Sequence, residues 1–341
     1  MRINKKANLG DLKRPRIGID LLGSALPDRQ ILTAILESSF EGSHPPIFTF
    51  FGTAETFHGF SEKEDSQFFT VPQGIEPDDA PLTAVRTKKD SSMMVGILQL
   101  KEYNLDGLIT AGNSGALLAG ATLNLPLLPS IERPGFITLM PTKEDPVAVI
   151  DVGANVDVNP EHLLQFAKMG IAYQKSRGIN QPTVGLLNIG EEKKKGTPIH
   201  REAHQLLSGL NSGAPLDSPV FIGNIEGRDV FRGAIDVLVT DGFTGNVFLK
   251  TSEGIAGFVL DQMEHLGTLS ALPGVKSIVE RLKSRLHFAH YPGALLCGID
   301  GMVIKCHSDS TPGTFLHSIH GACHLTKNFF LEKIREELGC N

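Results

Sequence analysis

With 341 residues, 41% of them hydrophobic and 21% charged, the chain has the composition of a soluble protein large enough to bury an extensive core. Its net charge of −6 argues against a nucleic-acid partner, so an anionic ligand has to meet a local basic patch. No apolar run approaches the roughly 20 residues that span a bilayer, and Cys297, Cys306, Cys323 and Cys340 form no C-x-x-C pair, which predicts reduced thiols in a cytoplasmic protein.

Residues 1–15 are basic and lack the apolar core of a signal peptide, so they read as a flexible extension ahead of one α/β unit over 16–341. A first strand is predicted at Arg16–Leu22 and a second at Phe48–Gly52, while Glu55–Gln67 carries little signal. Pro81–Met93 places Lys88 and Lys89 just before a helix that Asp90 or Ser91 can cap; the pair suits a bound phosphate or a solvated turn. Leu108 and Ile109 end in Thr110-Ala-Gly-Asn-Ser-Gly115, and a small-residue helix follows. Gly112 and Gly115 permit close backbone approach to a ligand, with the helix amides facing an anion.

The same order of strand, Gly/Asn loop and helix recurs at Val147–Asp157, where Asn159 caps and Pro160 opens a helix toward Gly178. It recurs again at Val184–Gly190, Phe221–Asp229 and Asp236–Lys250. The stretch 262–291 is helical in pattern, Val303–His307 is a last short strand, and Thr311 and Pro312 open a final helix carrying Phe315, Ile319, Ala322 and Phe330 on one side. Dinucleotide, P-loop and nucleophile-elbow fingerprints are absent. The helical histidine sets His200/His204 and His317/His320/His324 lack the carboxylate or cysteine partners of a zinc site, so no metal is expected. Repeated Gly/Asn loops after apolar strands predict one sheet with a phosphate-handling cleft at its strand ends.

Six ordered motifs then carry a resemblance: Val85-Arg-Thr-Lys-Lys-Asp-Ser-Ser-Met93, Ala111-Gly-Asn-Ser-Gly-Ala-Leu117, Asp151-Val-Gly-Ala-Asn-Val-Asp157 with Pro160-Glu-His-Leu163, Val184-Gly-Leu-Leu-Asn-Ile-Gly190, Phe221-Ile-Gly-Asn224 and Thr240-Asp-Gly-Phe-Thr-Gly-Asn-Val247. From about Arg16 to the last helix the chain resembles the PlsX-type phosphate acyltransferases, which make acyl-phosphate from acyl-acyl carrier protein and inorganic phosphate. The resemblance implies a three-layer α/β/α fold similar to that of phosphotransacetylases and isocitrate dehydrogenases, with one large mixed sheet shared by two intertwined lobes. It also implies a homodimer, no cofactor, acyl carrier protein as partner, and a product consumed by a membrane glycerol-phosphate acyltransferase. Two departures stand out. The family's Asp-x-Met-Gly-Gly-Asp-x-x-Pro is here Asp20-Leu-Leu-Gly23-Ser24-Ala25-Leu-Pro27, and its Lys-x-His-Gly is Lys305-Cys306-His307-Ser308.

On that resemblance the expected phosphate and substrate contacts are Asp20, Lys88, Lys89, Ser91, Gly112, Asn113, Ser114, Asn155, Arg228, Asp241 and Gly245. Asn246, with the Gly245 amide, is a candidate oxyanion donor, and His307 a candidate acid for the leaving thiol, supported by Lys305. A helical arm at about 262–291 carries Lys276, Arg281, Lys283 and Arg285 around an apolar stripe, for packing, carrier-protein contact or peripheral membrane contact. A dehydrogenase on the same fold and a weakened carrier-protein scaffold are the alternatives.

Overall fold

A computed structural model describes residues 14–40, 45–211, 220–265, 277, 293–306 and 311–338. Its strands are β1 (Arg16–Asp20), β2 (Ile47–Gly52), β3 (Ser66–Thr70), β4 (Gly107–Thr110), β5 (Gly135–Met140), β6 (Val147–Ile150), β7 (Thr183–Asn188), β8 (Val220–Glu226), β9 (Val237–Val239), β10 (Ala294–Cys297) and β11 (Val303–Lys305). They form one 11-stranded sheet in the order β3-β2-β1-β4-β11-β10-β5-β6-β9-β7-β8. The wing β3-β2-β1-β4-β11 is parallel, and so is the wing β6-β9-β7-β8. Between them, β10 is antiparallel to both β11 and β5, and β5 is antiparallel to β6. The two parallel wings therefore point in opposite directions.

Side chains alternate across the sheet as the two-residue period of a strand requires. Ile17 and Ile19, Ile137 and Leu139, Ala148 and Ile150, and Val237 and Val239 face one core. Phe136 and Met140, Val147 and Val149, and Leu238 face the other. Helices α1 (Asp28–Glu37), α6 (Pro160–Ser176), α7 (Pro198–Ser208), α10 (Pro312–Lys327) and α11 (Phe330–Glu337) cover the first face. Helices α3 (Pro81–Thr87), α4 (Ser92–Lys101), α5 (Ser114–Asn124), α8 (Gly227–Val230) and α9 (Gly242–His265) cover the second, while the short α2 (Ala54–Phe57) follows β2. The result is three layers, helix over sheet over helix.

Sequence reasoning missed β3, β5 and β10, and joined two helices at the C-terminal end. The join breaks because Phe329 takes a left-handed conformation (φ 54°), so Phe330 belongs to α11 rather than to the Phe315 face of α10. Residues 262–265 are the end of α9, which runs unbroken for 24 residues from the Gly/Asn loop. The basic extension ends sooner than expected: Arg14 Nε donates to the Pro45 carbonyl at 2.9 Å and the Pro15 carbonyl accepts from Ile47 at 2.7 Å. Lys276, Arg281, Lys283, Arg285 and His307 lie outside the described residues.

Candidate active site

Because the wings point opposite ways, α5 leaves β4 at one end of the sheet and α9 leaves β9 at the other, both on the same face. Their first turns border a cleft of about 210 Å³ above the central strands. Ser114 lines it from α5; Asn246, Leu249 and Lys250 from α9; Phe136 and Thr138 from β5; Ala294 from β10; Lys305 and Cys306 from the end of β11; and Val152 and Gly153 from the loop after β6. Two lysines and no carboxylate line it among the described residues, so it is locally positive in a chain of net charge −6. Helix N-termini add to that sign, since their free amides carry the positive end of the helix dipole.

The α9 side is organised by Asp151, which is fully buried. Its Oδ1 accepts from the amides of Phe136 (3.0 Å), Gly153 (3.1 Å) and Ala154 (3.0 Å), and its Oδ2 from the Asn155 amide (2.7 Å) and Asn155 Nδ2 (2.9 Å). Burial pushes this carboxyl above its usual range, against the donation from Ala154, Asn155 and Phe136. The turn so formed receives α9. The Gly242 amide donates to the Asn155 carbonyl at 2.7 Å, and a Cβ on Gly245 would stand 1.9 Å from the Asp151 carbonyl oxygen, so only glycine permits the approach. Asn246 Nδ2 donates to the Val152 carbonyl at 3.0 Å with one of its two hydrogens.

On the α5 side, Asn113 caps the helix by accepting from the Ala116 amide at 3.0 Å, while its Nδ2 donates to the carbonyls of Pro77 (2.9 Å) and Asp79 (3.1 Å). Lys88 Nζ pairs with Asp79 at 2.6 Å, which holds the Asp79 carboxyl below its ordinary range. Asp20 is buried at the end of β1 and accepts from Thr110 Oγ1 at 2.7 Å and from the Leu22 amide at 3.1 Å. Burial raises its carboxyl to about 6, opposed by the Ser92 and Thr110 hydroxyls, the Leu22 amide and the charge on Lys305. Gly23 packs here too, at φ 77°, where a Cβ would stand 2.8 Å from the Ile75 carbonyl oxygen and 3.2 Å from Gly112 Cα. The glycine that this chain keeps from the first-loop motif is thus one that close packing demands. Burial pushes the Cys306 thiol up to about 11, so it stays protonated near neutral pH and is a poor nucleophile.

Of the residues singled out from sequence, Ser114, Asn246 and Lys305 meet on the cleft. Asp20, Lys88, Ser91, Gly112 and Asn113 cluster on the loops beside it, and Lys89 is exposed. Asn155 and Asp241 are engaged in the fold, the latter accepting from the Thr244 amide at 2.7 Å across the first turn of α9. The Gly245 amide donates within the helix to the Asp241 carbonyl at 2.9 Å. Arg228 lies on the other flank of α9, ion-paired with Glu226 at 3.1 Å, beside an apolar groove of about 460 Å³ walled by Phe231, Phe248, Ile255 and Val259. Thr138 and Lys250 were missed. A lone threonine in the apolar run Phe136–Met140, and a lysine four residues after Asn246 on the same helical face, were the available signals.

Known proteins are similar to this chain in sequence and in architecture. The family model described as "Fatty acid synthesis protein" matches residues 15–333. A protein of Chlamydia abortus named phosphate acyltransferase is 40% identical over 336 residues, covering 95% of this chain and 99% of its own. Among solved structures, the EutD phosphotransacetylase of Staphylococcus aureus superposes with a TM-score of 0.58 at 13% identity, covering 94% of each chain. A phosphotransacetylase of Streptococcus pyogenes gives 0.57 at 17% identity with the same coverage. These two likenesses establish the fold, which is the one expected from the motifs. The chain belongs to the fatty acid synthesis protein family, that of the PlsX-type phosphate acyltransferases.

Proposed function

We propose that this chain is an acyltransferase that moves a fatty acyl group from acyl-acyl carrier protein to inorganic phosphate, yielding acyl-phosphate for phospholipid synthesis. The observation that carries the site is the cleft itself: a small positive hollow between two helix N-termini, lined by Ser114, Thr138, Asn246, Lys250 and Lys305. Phosphate is nucleophilic near neutral pH, so the protein's task is to hold it against the thioester and to stabilise charge on the carbonyl oxygen. An oxygen of hydrogen phosphate attacks the thioester carbonyl carbon, the carbon–sulfur bond breaks, and the departing thiolate takes the proton that hydrogen phosphate gives up, leaving as thiol. Lys305 and Lys250 hold the phosphate, with the Ser114 hydroxyl at the head of α5; Lys250, paired with Glu253 at 2.9 Å, reaches the cleft from the opposite wall. The remaining Asn246 Nδ2 hydrogen serves the oxyanion.

The working unit in this reading is a homodimer. Along α9, Phe243, Val247, Ile255 and Phe258 are each more than half exposed, an apolar face of the kind that subunit contacts cover. No helix among the described residues is long and apolar enough to cross a membrane. In this reading the enzyme works in the cytoplasm and hands acyl-phosphate to a membrane-bound glycerol-phosphate acyltransferase. The test is incubation of purified protein with acyl-acyl carrier protein, with and without phosphate. Phosphate-dependent release of carrier-protein thiol, matched by hydroxylamine-trappable acyl-phosphate, is the expected outcome. Carrier-protein binding without that product would overturn the enzymatic assignment.

A further inference from the structure

Lys305 is tied to the buried Asp20 by an uninterrupted chain of hydrogen bonds. Its Nζ donates to the Ala111 carbonyl at 3.2 Å and also to the Cys306 carbonyl. The peptide unit that owns the Ala111 carbonyl also owns the Gly112 amide, which donates to Thr110 Oγ1 at 2.9 Å. Thr110 Oγ1 in turn donates to Asp20 Oδ2 at 2.7 Å. Every donor in this chain points the same way, from the ammonium toward the carboxylate. A negative Asp20 thus sharpens Thr110 as an acceptor, polarises the Ala111–Gly112 peptide, and strengthens the carbonyl on which Lys305 rests. Thr110 and Asp20 are both fully or almost fully buried, so little solvent screens the coupling.

We infer that Asp20 and Thr110 are positioning residues, which act through the Ala111–Gly112 peptide to hold the Lys305 ammonium at the phosphate end of the cleft. The inference rests on the phosphate-acyltransferase reading and extends it to residues that touch no substrate. It also accounts for a carboxylate retained where it can contact no phosphate. Among the described residues, the groups that face Asp20 are Lys305 from β11, Thr110 from β4 and Ser92 from α4, with the apolar Phe51 paired beside it on β2. Lys305 is the charged one. Protonation of Asp20 on acidification removes the negative end of the chain, so the hold on Lys305 weakens within the pH range of an ordinary assay.

The experiment compares wild type, Thr110→Val, Thr110→Ser and Asp20→Asn for the KM of phosphate between pH 5 and 7.5. Thr110→Val keeps the shape and removes the hydroxyl, and is expected to raise that KM about tenfold at pH 7.5, the scale of one lost hydrogen bond to a charged group. The effect on kcat is expected to be smaller, and Thr110→Ser to restore KM to within about twofold. The ratio of variant to wild-type KM cancels phosphate's own ionisation and is expected to fall toward one as pH drops to 5. Asp20→Asn is expected to raise KM in the same way and serves if Thr110→Val does not fold. A folded Thr110→Val or Asp20→Asn with wild-type KM, or a ratio that does not change with pH, would overturn the inference while leaving the acyl-transfer reading intact. A wild-type protein without phosphate-dependent turnover would instead overturn that reading, and this inference with it.

Discussion

Asp20 and Gly245 show how differently single residues hold this site. Asp20 has its carboxyl raised from 3.8 to about 6, so its charged form is disfavoured by folding. The sign follows directly: the folded state binds this proton more tightly than the unfolded chain, so charged Asp20 costs stability above about pH 6. That cost is relieved as pH falls through 6 toward 3.8. In thermal unfolding from pH 7.5 to 4.5, wild type should gain on Asp20→Asn by an amount on the order of 2 kcal/mol, most of the cost of the shift. A pH-independent gap would contradict the shift. Gly245 is a steric matter. Gly245→Ala places a methyl 1.9 Å from a backbone oxygen that cannot move without opening the Asp151 turn, whereas Gly112→Ala meets the flexible tip of Met93 at 2.7 Å. Denaturant unfolding should show a loss of about 4 kcal/mol or more for the first and about 1 kcal/mol for the second.

At the scale of elements, the pieces legible in the sequence were those with a strand, a Gly/Asn loop and a helix in succession, such as β4 with α5 and β9 with α9. There the turn residues announce the geometry. β5 and β10 gave no such signal. Both are buried on two faces, so their apolar runs show no alternation, and β5 leads through a hairpin to β6 rather than into a helix. The site was readable to the same degree. Ser114 and Asn246 sit in the loop motifs, while Thr138 lies on the strand that had no signature. Nothing local revealed that Asn113 and Asn155 would donate to the Asp79 and Pro134 carbonyls, because those partners are far away in sequence, whereas Asp241 is engaged by Thr244 only three residues on. The long α9 carries its own prediction. On the proposed homodimer, with the exposed apolar face of α9 against the second copy, replacing Ile255 and Phe258 with Glu should shift the protein from two copies to one in sedimentation velocity, leaving the circular dichroism spectrum unchanged. Retention of the dimer would move the subunit contact elsewhere.

For the whole molecule, the telling fact is where the last strands go. β10 and β11 come from residues 294–305, yet they occupy the middle of the sheet, between β4 and β5. During synthesis, therefore, the first wing and the second wing emerge before the strands that join them. Until residue 305 clears the ribosome, β4 and β5 expose unpaired edges and the cleft lacks Lys305 and Cys306 from its lining. Closing this gap pairs Lys305 with Thr110 across nearly two hundred residues, a non-local step of the kind that slows folding. Ribosome-stalled chains ending before residue 294 should be digested rapidly by a nonspecific protease, with protection appearing only in chains long enough to release β11. The cell thus makes this protein with its central seam open until β11 has emerged, and a chain terminated before residue 305 never assembles the cleft.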